Sequence, residues 1–264
     1  MNADVHAKPP RHAVEVVPDA ASIATRGAEW LIEQIAHAIA KRGRAAVALS
    51  GGSTPRALYK QLAQHPWCDR VPWDALHLFW GDERFVPHDD AASNARMVGE
   101  TLLDHVTIPA GNVHRIPYAA DAKGEPTRAR AERAARDYGR TLAGFYGGDT
   151  LDAQRPLFDV VLLGLGEDGH TASLFPVSPA LEERSAWVAA ITTGDKLPPV
   201  RITLTYPALE STHAVAFLVS GAAKRDVAAR VLAGDESLPA ARLRPHGGML
   251  WIMDEDAAGT KRPI

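Results

Sequence analysis

The feature that most constrains this chain is a unit that recurs along it: a short, largely apolar run of strand length, closed by glycine and polar residues, then a helical stretch. Such runs occupy Ala45 to Ser50, Ala75 to Trp80, Phe158 to Gly164, His213 to Ser220 and Met249 to Met253, with Ala13 to Val17 before them. A strand apolar on both faces must be covered on both faces, and helices between strands supply that cover. The helical stretches are expected at Asp19 to Arg42, with Ile23, Leu31, Ile35, Ala38 and Ile39 on one face and Gly43 as the stop, at Pro55 to about Gln64, at Glu125 to Tyr146 and at about Ala222 to Ala233. The reading is an α/β chain with a mostly parallel sheet and helices on both faces. No linker or repeat divides residues 1 to 264, so one domain is expected, residues 1 to 12 forming a loose N-terminal segment. The arginines of Glu125 to Tyr146 read as a solvated face.

Composition removes whole classes of function. Lys plus Arg number 29 against 32 Asp plus Glu, a formal charge of −3, so the basic excess of a nucleic-acid binder is missing. Cys68 is the one cysteine, which leaves no internal disulfide and no Cys pair for zinc or iron-sulfur ligation. The start, MNADVHAKPPRH, lacks the apolar centre of a signal peptide, and no run suits a membrane span. A cytoplasmic protein without nucleic-acid or membrane partners is expected. Monomer and weak dimer both remain open.

In open parallel sheets ligands gather at the C-terminal strand ends. Four segments fall there. In Ser50-Gly51-Gly52-Ser53-Thr54-Pro55, two glycines permit a tight turn and Thr54 is placed to cap a helix opened by Pro55, which would aim amides and a helix dipole at an anion. The same residues suit a plain βα turn, and Ser50 also resembles a nucleophile elbow whose first glycine is alanine. Gly81-Asp82-Glu83-Arg84 crowds two carboxylates and a guanidinium, which reads equally as a site or as a self-neutralising turn. Gly164 to Pro176 contains GxGxxG after a strand, but Pro176 and Pro179 deny it the long helix of a dinucleotide site, and Asp168 two residues before His170 suits a general base with a carboxylate neighbour. Arg201 and Lys224 are cations at two further strand ends, Lys224 in the first turn of a helix, where its charge opposes the dipole unless an anion compensates.

Together SGGSTP, GDER with downstream Ser93-Asn94, GLGEDGHTASLFP and the Arg201 and Lys224 segments, over about Val14 to Asp256, resemble the 6-phosphogluconolactonase family, in a wider group that includes glucosamine-6-phosphate deaminase. The resemblance implies a Rossmann-like fold and hydrolysis of 6-phospho-D-glucono-1,5-lactone to 6-phosphogluconate in the oxidative pentose phosphate pathway. It implies His170 as base, supported by Asp168, and Arg84 near the lactone ring. The phosphate falls to Ser50, Gly51, Gly52, Ser53 and Thr54 with Arg201 and Lys224, and Asp82 is grouped with these substrate-binding residues. No metal or organic cofactor is implied. A deaminase-like chain would instead carry glutamate at the position of Phe175 and tyrosine at that of Arg84.

Overall fold

The computed structural model describes residues 12–120, 124–194 and 196–260. In chain order the regular elements are β1 (His12–Val17), α1 (Ala20–Arg42), β2 (Ala45–Leu49), α2 (Ser53–Leu62), β3 (Leu76–Trp80), β4 (Asp82–Arg84), α3 (Asn94–Thr101), β5 (Val113–His114) and α4 (Thr127–Tyr146). Then follow β6 (Phe158–Leu163), β7 (Val188–Thr192), β8 (Val200–Leu204), α5 (Tyr206–Glu210), β9 (Thr212–Val219), α6 (Arg225–Leu232), β10 (Gly248–Asp254) and α7 (Glu255–Ala258).

Seven strands form one parallel sheet in the order β1-β10-β9-β6-β2-β3-β5. β2 and β6 at its centre are buried at every position, so both faces of that centre are covered, as their unbroken apolar runs require. α1 begins where Asp19 caps it by accepting from the Ser22 amide at 2.8 Å, and it ends at Gly43 in the left-handed conformation. Its apolar stripe, including Ile23, Leu31 and Ile35, is buried in the core. No helix among the described residues is long and apolar enough to cross a membrane.

A second, antiparallel sheet, β4-β8-β7, was not expected from the sequence. Gly81 joins the two sheets: its amide donates to the Leu49 carbonyl in the large sheet, and its carbonyl accepts from the Leu204 amide in the small one, both at 2.8 Å. The residues Gly81 to Arg84 are therefore not a turn. They carry the chain from one sheet into the other.

Three expected features differ in detail. α2 starts at Ser53, with Gly52 rather than Thr54 as its cap residue and Pro55 inside the first turn. Lys224 closes a short 3₁₀ turn and immediately precedes α6 instead of lying within it. Arg130 departs from the solvated face of α4: it is buried, donates to the Ala119 carbonyl at 3.0 Å and lies over the Phe85 ring. The expected loose segment falls almost wholly outside the described residues.

At the β3–β5 edge, His77 Nδ1 is 3.1 Å from His114 Nε2, and the His114 ring stacks on Phe79 at 4.3 Å. Burial, with His77 beside it, holds the His114 imidazole down at about 4 against an ordinary 6.5. The unfolded chain therefore binds a proton that the folded chain refuses between those two values. Stability is expected to fall as pH drops from about 6.5 towards 4, and His114→Phe should flatten that slope in urea melts taken across the window. An unchanged slope in the variant would remove His114 from the account.

Candidate active site

The C-terminal ends of β9, β6, β2 and β3 are neighbours in the sheet, and the chain runs outward from β2 in both directions, which opens a crevice there. A cavity of about 270 Å³ occupies it. Ser50, Gly51, Gly52, Ser53, Thr54, Asp82, Arg84, His170, Arg201 and Lys224 all line it, which brings ten of the expected site residues to one place. Asp168 stands behind His170, bonded to its ring.

Two buried tyrosines hold the strand ends from which the site loops leave. The Tyr59 hydroxyl of α2 accepts from the Ser50 amide at 3.0 Å and donates to the Ser50 carbonyl at 2.9 Å. Tyr138 of α4 does the same for Trp80, at 2.8 and 3.1 Å. Burial pushes both phenols well above their usual range, so they remain neutral donors.

The Ser50 to Thr54 loop passes so close to α3 that a Cβ on Gly51 would lie 2.1 Å from Asn94 Oδ1. Any side chain there would displace Asn94, whose Nδ2 donates to the Asp82 carbonyl at 2.9 Å. The Ser50 hydroxyl donates to the Gly51 carbonyl at 3.2 Å, an arrangement that supplies no base to activate it as a nucleophile. Beyond the loop, the first amides of α2 have no helical acceptor and face the crevice from a helix N-terminus.

In the small sheet Arg84 pairs directly with Arg201 across β4 and β8. Like charges opposite each other on one face destabilise a sheet. Arg201 is only 7% exposed, and burial followed by the Arg84 charge pulls its pKa below the usual guanidinium range. The Nε atoms of both arginines are buried without a partner. Arg84 is partly buried and spends one Nη on the Ala92 carbonyl at 2.7 Å. Two mutually repelling guanidiniums, each with a buried Nε left unused on one cavity, are the arrangement an anion completes.

The two carboxylates of GDER divide. Asp82 lines the cavity and accepts from the buried Ser173 hydroxyl at 2.6 Å, tying the His170 loop to β4. Glu83 turns away from it and receives the Asn94 and Ala95 amides at 2.7 Å and the Ser93 hydroxyl at 3.0 Å, anchoring the start of α3. Burial pushes the Glu83 pKa up, and these donors resist the rise.

The loop after β6 folds back on itself, with the Gly166 amide donating to the His170 carbonyl at 2.8 Å and the Thr171 hydroxyl to the Gly164 carbonyl at 3.0 Å. No helix opens from it, so the glycine pattern serves a tight turn and not a dinucleotide. A Cβ on Gly166 would fall 1.9 Å from His170 Nδ1, so only glycine leaves room for the ring. Ala172, also on the cavity, has φ of 48°, a left-handed conformation costly for alanine.

His170 Nδ1 is hydrogen-bonded to Asp168 Oδ1, while Lys196 Nζ donates to Oδ2 of the same carboxylate and stands 3.5 Å from Nδ1. Burial opposes the charge on Asp168, but the bonds from His170 and Lys196 outweigh it and hold the carboxylate far below its usual range. With Nδ1 donating to that anion, a neutral ring keeps its lone pair on Nε2. Phe175 packs on His170 at 4.3 Å and beneath the Lys196 ammonium at 4.7 Å. Lys196 escaped the sequence reading because it lies in the irregular β7–β8 connection, where no periodicity marks a residue.

The family model for glucosamine-6-phosphate isomerases/6-phosphogluconolactonase matches residues 18–251. A 6-phosphogluconolactonase of Nostoc sp. is 39% identical over 257 residues, covering 96% of this chain and 100% of the relative. Its counterpart in Mycobacterium tuberculosis is also 39% identical, over 93% of this chain and 97% of its own. The solved structure of 6-phosphogluconolactonase from Trypanosoma brucei superimposes with a TM-score of 0.79 at 29% identity, covering 96% of this chain and all of that one.

Proposed function

The chain belongs to the glucosamine-6-phosphate isomerase/6-phosphogluconolactonase family, and from that premise we propose that it hydrolyses 6-phospho-D-glucono-1,5-lactone to 6-phosphogluconate, with His170 as the general base for water. The observation that carries this reading is the shared cavity: an imidazole oriented by Asp168 on one side, and on the other two guanidiniums whose buried Nε atoms have no partner, with a helix N-terminus beside them. The first is chemistry, the second a handle.

A lactone carbonyl needs an attacking water, a base to take its proton, and donors for the negative charge that develops on the carbonyl oxygen. His170 Nε2 takes the proton from water as the C–O bond forms. The imidazolium so produced is stabilised by Asp168, which remains ionised throughout because His170 and Lys196 hold it so. Arg84 is assigned to the carbonyl oxygen. When the tetrahedral adduct collapses, the ring oxygen leaves and takes a proton back from His170, which resets the base.

The phosphate is assigned to the Ser50 to Thr54 loop with Arg201 and Lys224. Lys224 Nζ is 3.9 Å from Glu167, a loose pairing that leaves the ammonium open to the cavity it lines. Held at the phosphate end, the ring is fixed against the base, and remote binding energy becomes orientation at the carbonyl.

The family's other named chemistry is separated at two positions. Phe175 packs on His170 where an isomerase-type ring-opening carboxylate would be called for, and Arg84 occupies the place of a tyrosine. Purified protein is accordingly expected to accelerate loss of 6-phosphogluconolactone above its spontaneous rate and to release no ammonia from glucosamine-6-phosphate. Ammonia release at a comparable rate would reverse the assignment.

A further inference from the structure

Away from the cavity, at the other end of α2, the fold assembles three donors of different chemistry. The turn that follows α2 brings His65 Nδ1 to 2.8 Å from Asp69 Oδ2, Cys68 Sγ to 3.6 Å from the same Nδ1, and Sγ to 3.8 Å from Asp69 Oδ1. The sequence alone displayed no ligand set here, because a single cysteine without a partner carries no spacing signal. From these separations the geometry points to a binding site for one borderline-soft divalent transition ion of the Zn²⁺ type, held by His65 Nδ1, Cys68 Sγ and an Asp69 carboxylate oxygen.

Ligand atoms about 2.0–2.3 Å from a tetrahedral zinc-type ion lie roughly 3.3–3.7 Å from one another. The His65 to Cys68 separation already has that size, while Asp69 meets the sulfur through Oδ1 and the imidazole through Oδ2, so its exposed carboxylate must turn to place a single oxygen about 3.3–3.7 Å from both. The backbone beneath is held in place: the Trp67 and Cys68 amides both donate to the Gln64 carbonyl, at 2.8 and 3.0 Å, and Trp73 Nε1 donates to the Cys68 carbonyl at 2.9 Å. Little chain entropy is left to lose on closure.

The donor set chooses the metal. Thiolate and imidazole favour Zn²⁺, Co²⁺ or Cu²⁺ over Mg²⁺ or Ca²⁺, which take oxygen ligands. His65 and Asp69 side chains are 82% and 59% exposed, so water completes the coordination and the ion exchanges with solvent. Binding forms the metal–sulfur bond as the Cys68 thiol proton passes to solvent, with no change of oxidation state. α2 spans ten residues, about 15 Å, between this turn and the Ser50 to Thr54 loop. The ion is therefore distinct from anything in the crevice.

Titration of the full chain with Co²⁺, with Cys68 kept reduced by a phosphine, tests the assignment. Cys68 is the one thiol in the sequence, so a near-ultraviolet sulfur-to-cobalt charge-transfer band reports this turn alone. One equivalent of Co²⁺ is expected to produce that band together with the visible bands of tetrahedral cobalt, and Zn²⁺ should displace it. Cys68→Ser should abolish the charge-transfer band, while His65→Ala and Asp69→Asn should each weaken Co²⁺ binding at least about tenfold. Absence of the band at saturating Co²⁺, or a band of unchanged affinity in both His65→Ala and Asp69→Asn, would overturn the site.

Discussion

Replacing His170 by alanine is expected to lower kcat on 6-phosphogluconolactone roughly 10²- to 10⁴-fold, the span usual for a lost general base, and to leave KM close to its original value. The split follows from where His170 acts. In the proposed scheme its proton transfer occurs only as water attacks, so the ground-state complex would lose little, while the residues assigned to the phosphate, Arg201 and the Ser50 to Thr54 loop among them, would still hold the substrate. Asp168→Asn should lower kcat by a smaller factor: an amide can still accept from Nδ1, but it brings no charge to balance the imidazolium, and Lys196 would then face the ring without its intervening anion. A His170→Ala protein with near-normal kcat would move the base elsewhere. Asp82, whose carboxylate lines the cavity, would be the first place to look.

Arg201→Met should produce the second large effect, with the opposite kinetic signature. Truncating one member of a buried charge pair costs about 2–5 kcal/mol, or roughly 30- to 5,000-fold in kcat/KM. Most of that loss should appear in KM, because a phosphate is held in ground and transition states alike. Stability should move the other way. Arg201 is buried directly across from Arg84, so its removal takes away a like-charge repulsion that the ligand-free fold must bear. An Arg201→Met protein that melts at the same temperature or higher, yet saturates only at far higher lactone concentration, would display a site kept at the fold's expense. Unchanged KM would free Arg201 from the phosphate and leave its burial without a purpose in this scheme.

The elements legible in the sequence were those whose pattern is local. α1 announces itself by apolar residues at helical spacing between Asp19 and Gly43, and β2 and β6 by runs apolar on both faces. The small sheet was not legible: β4 is three residues long and its charged side chains alternate with nothing apolar, so its pairing with β8 depends on contacts from 117 to 121 positions away. α3 is similar. Its first turn is anchored by Glu83, a residue brought to it only by the chain leaving the large sheet at Gly81.

The site shows the same division. Strand-end loops could be found because strand ends are where a parallel sheet collects ligands. α2 begins at Ser53, two residues before the Pro55 start that the sequence suggests, since proline is tolerated inside a first turn, where its missing N–H costs no helical bond. Lys196 had no local mark at all. It meets Asp168 from 28 residues away, through the loop that joins two strands of a sheet the sequence did not reveal.

The central claim is that the cavity couples a phosphate handle to a base that activates water. It is tested most directly by comparing kcat/KM for 6-phosphogluconolactone and for unphosphorylated gluconolactone, each corrected for spontaneous hydrolysis. The phosphorylated lactone should be preferred by several orders of magnitude, because the Ser50 to Thr54 loop, Arg201 and Lys224 have nothing to hold on the other. Equal values for the two lactones would contradict the account.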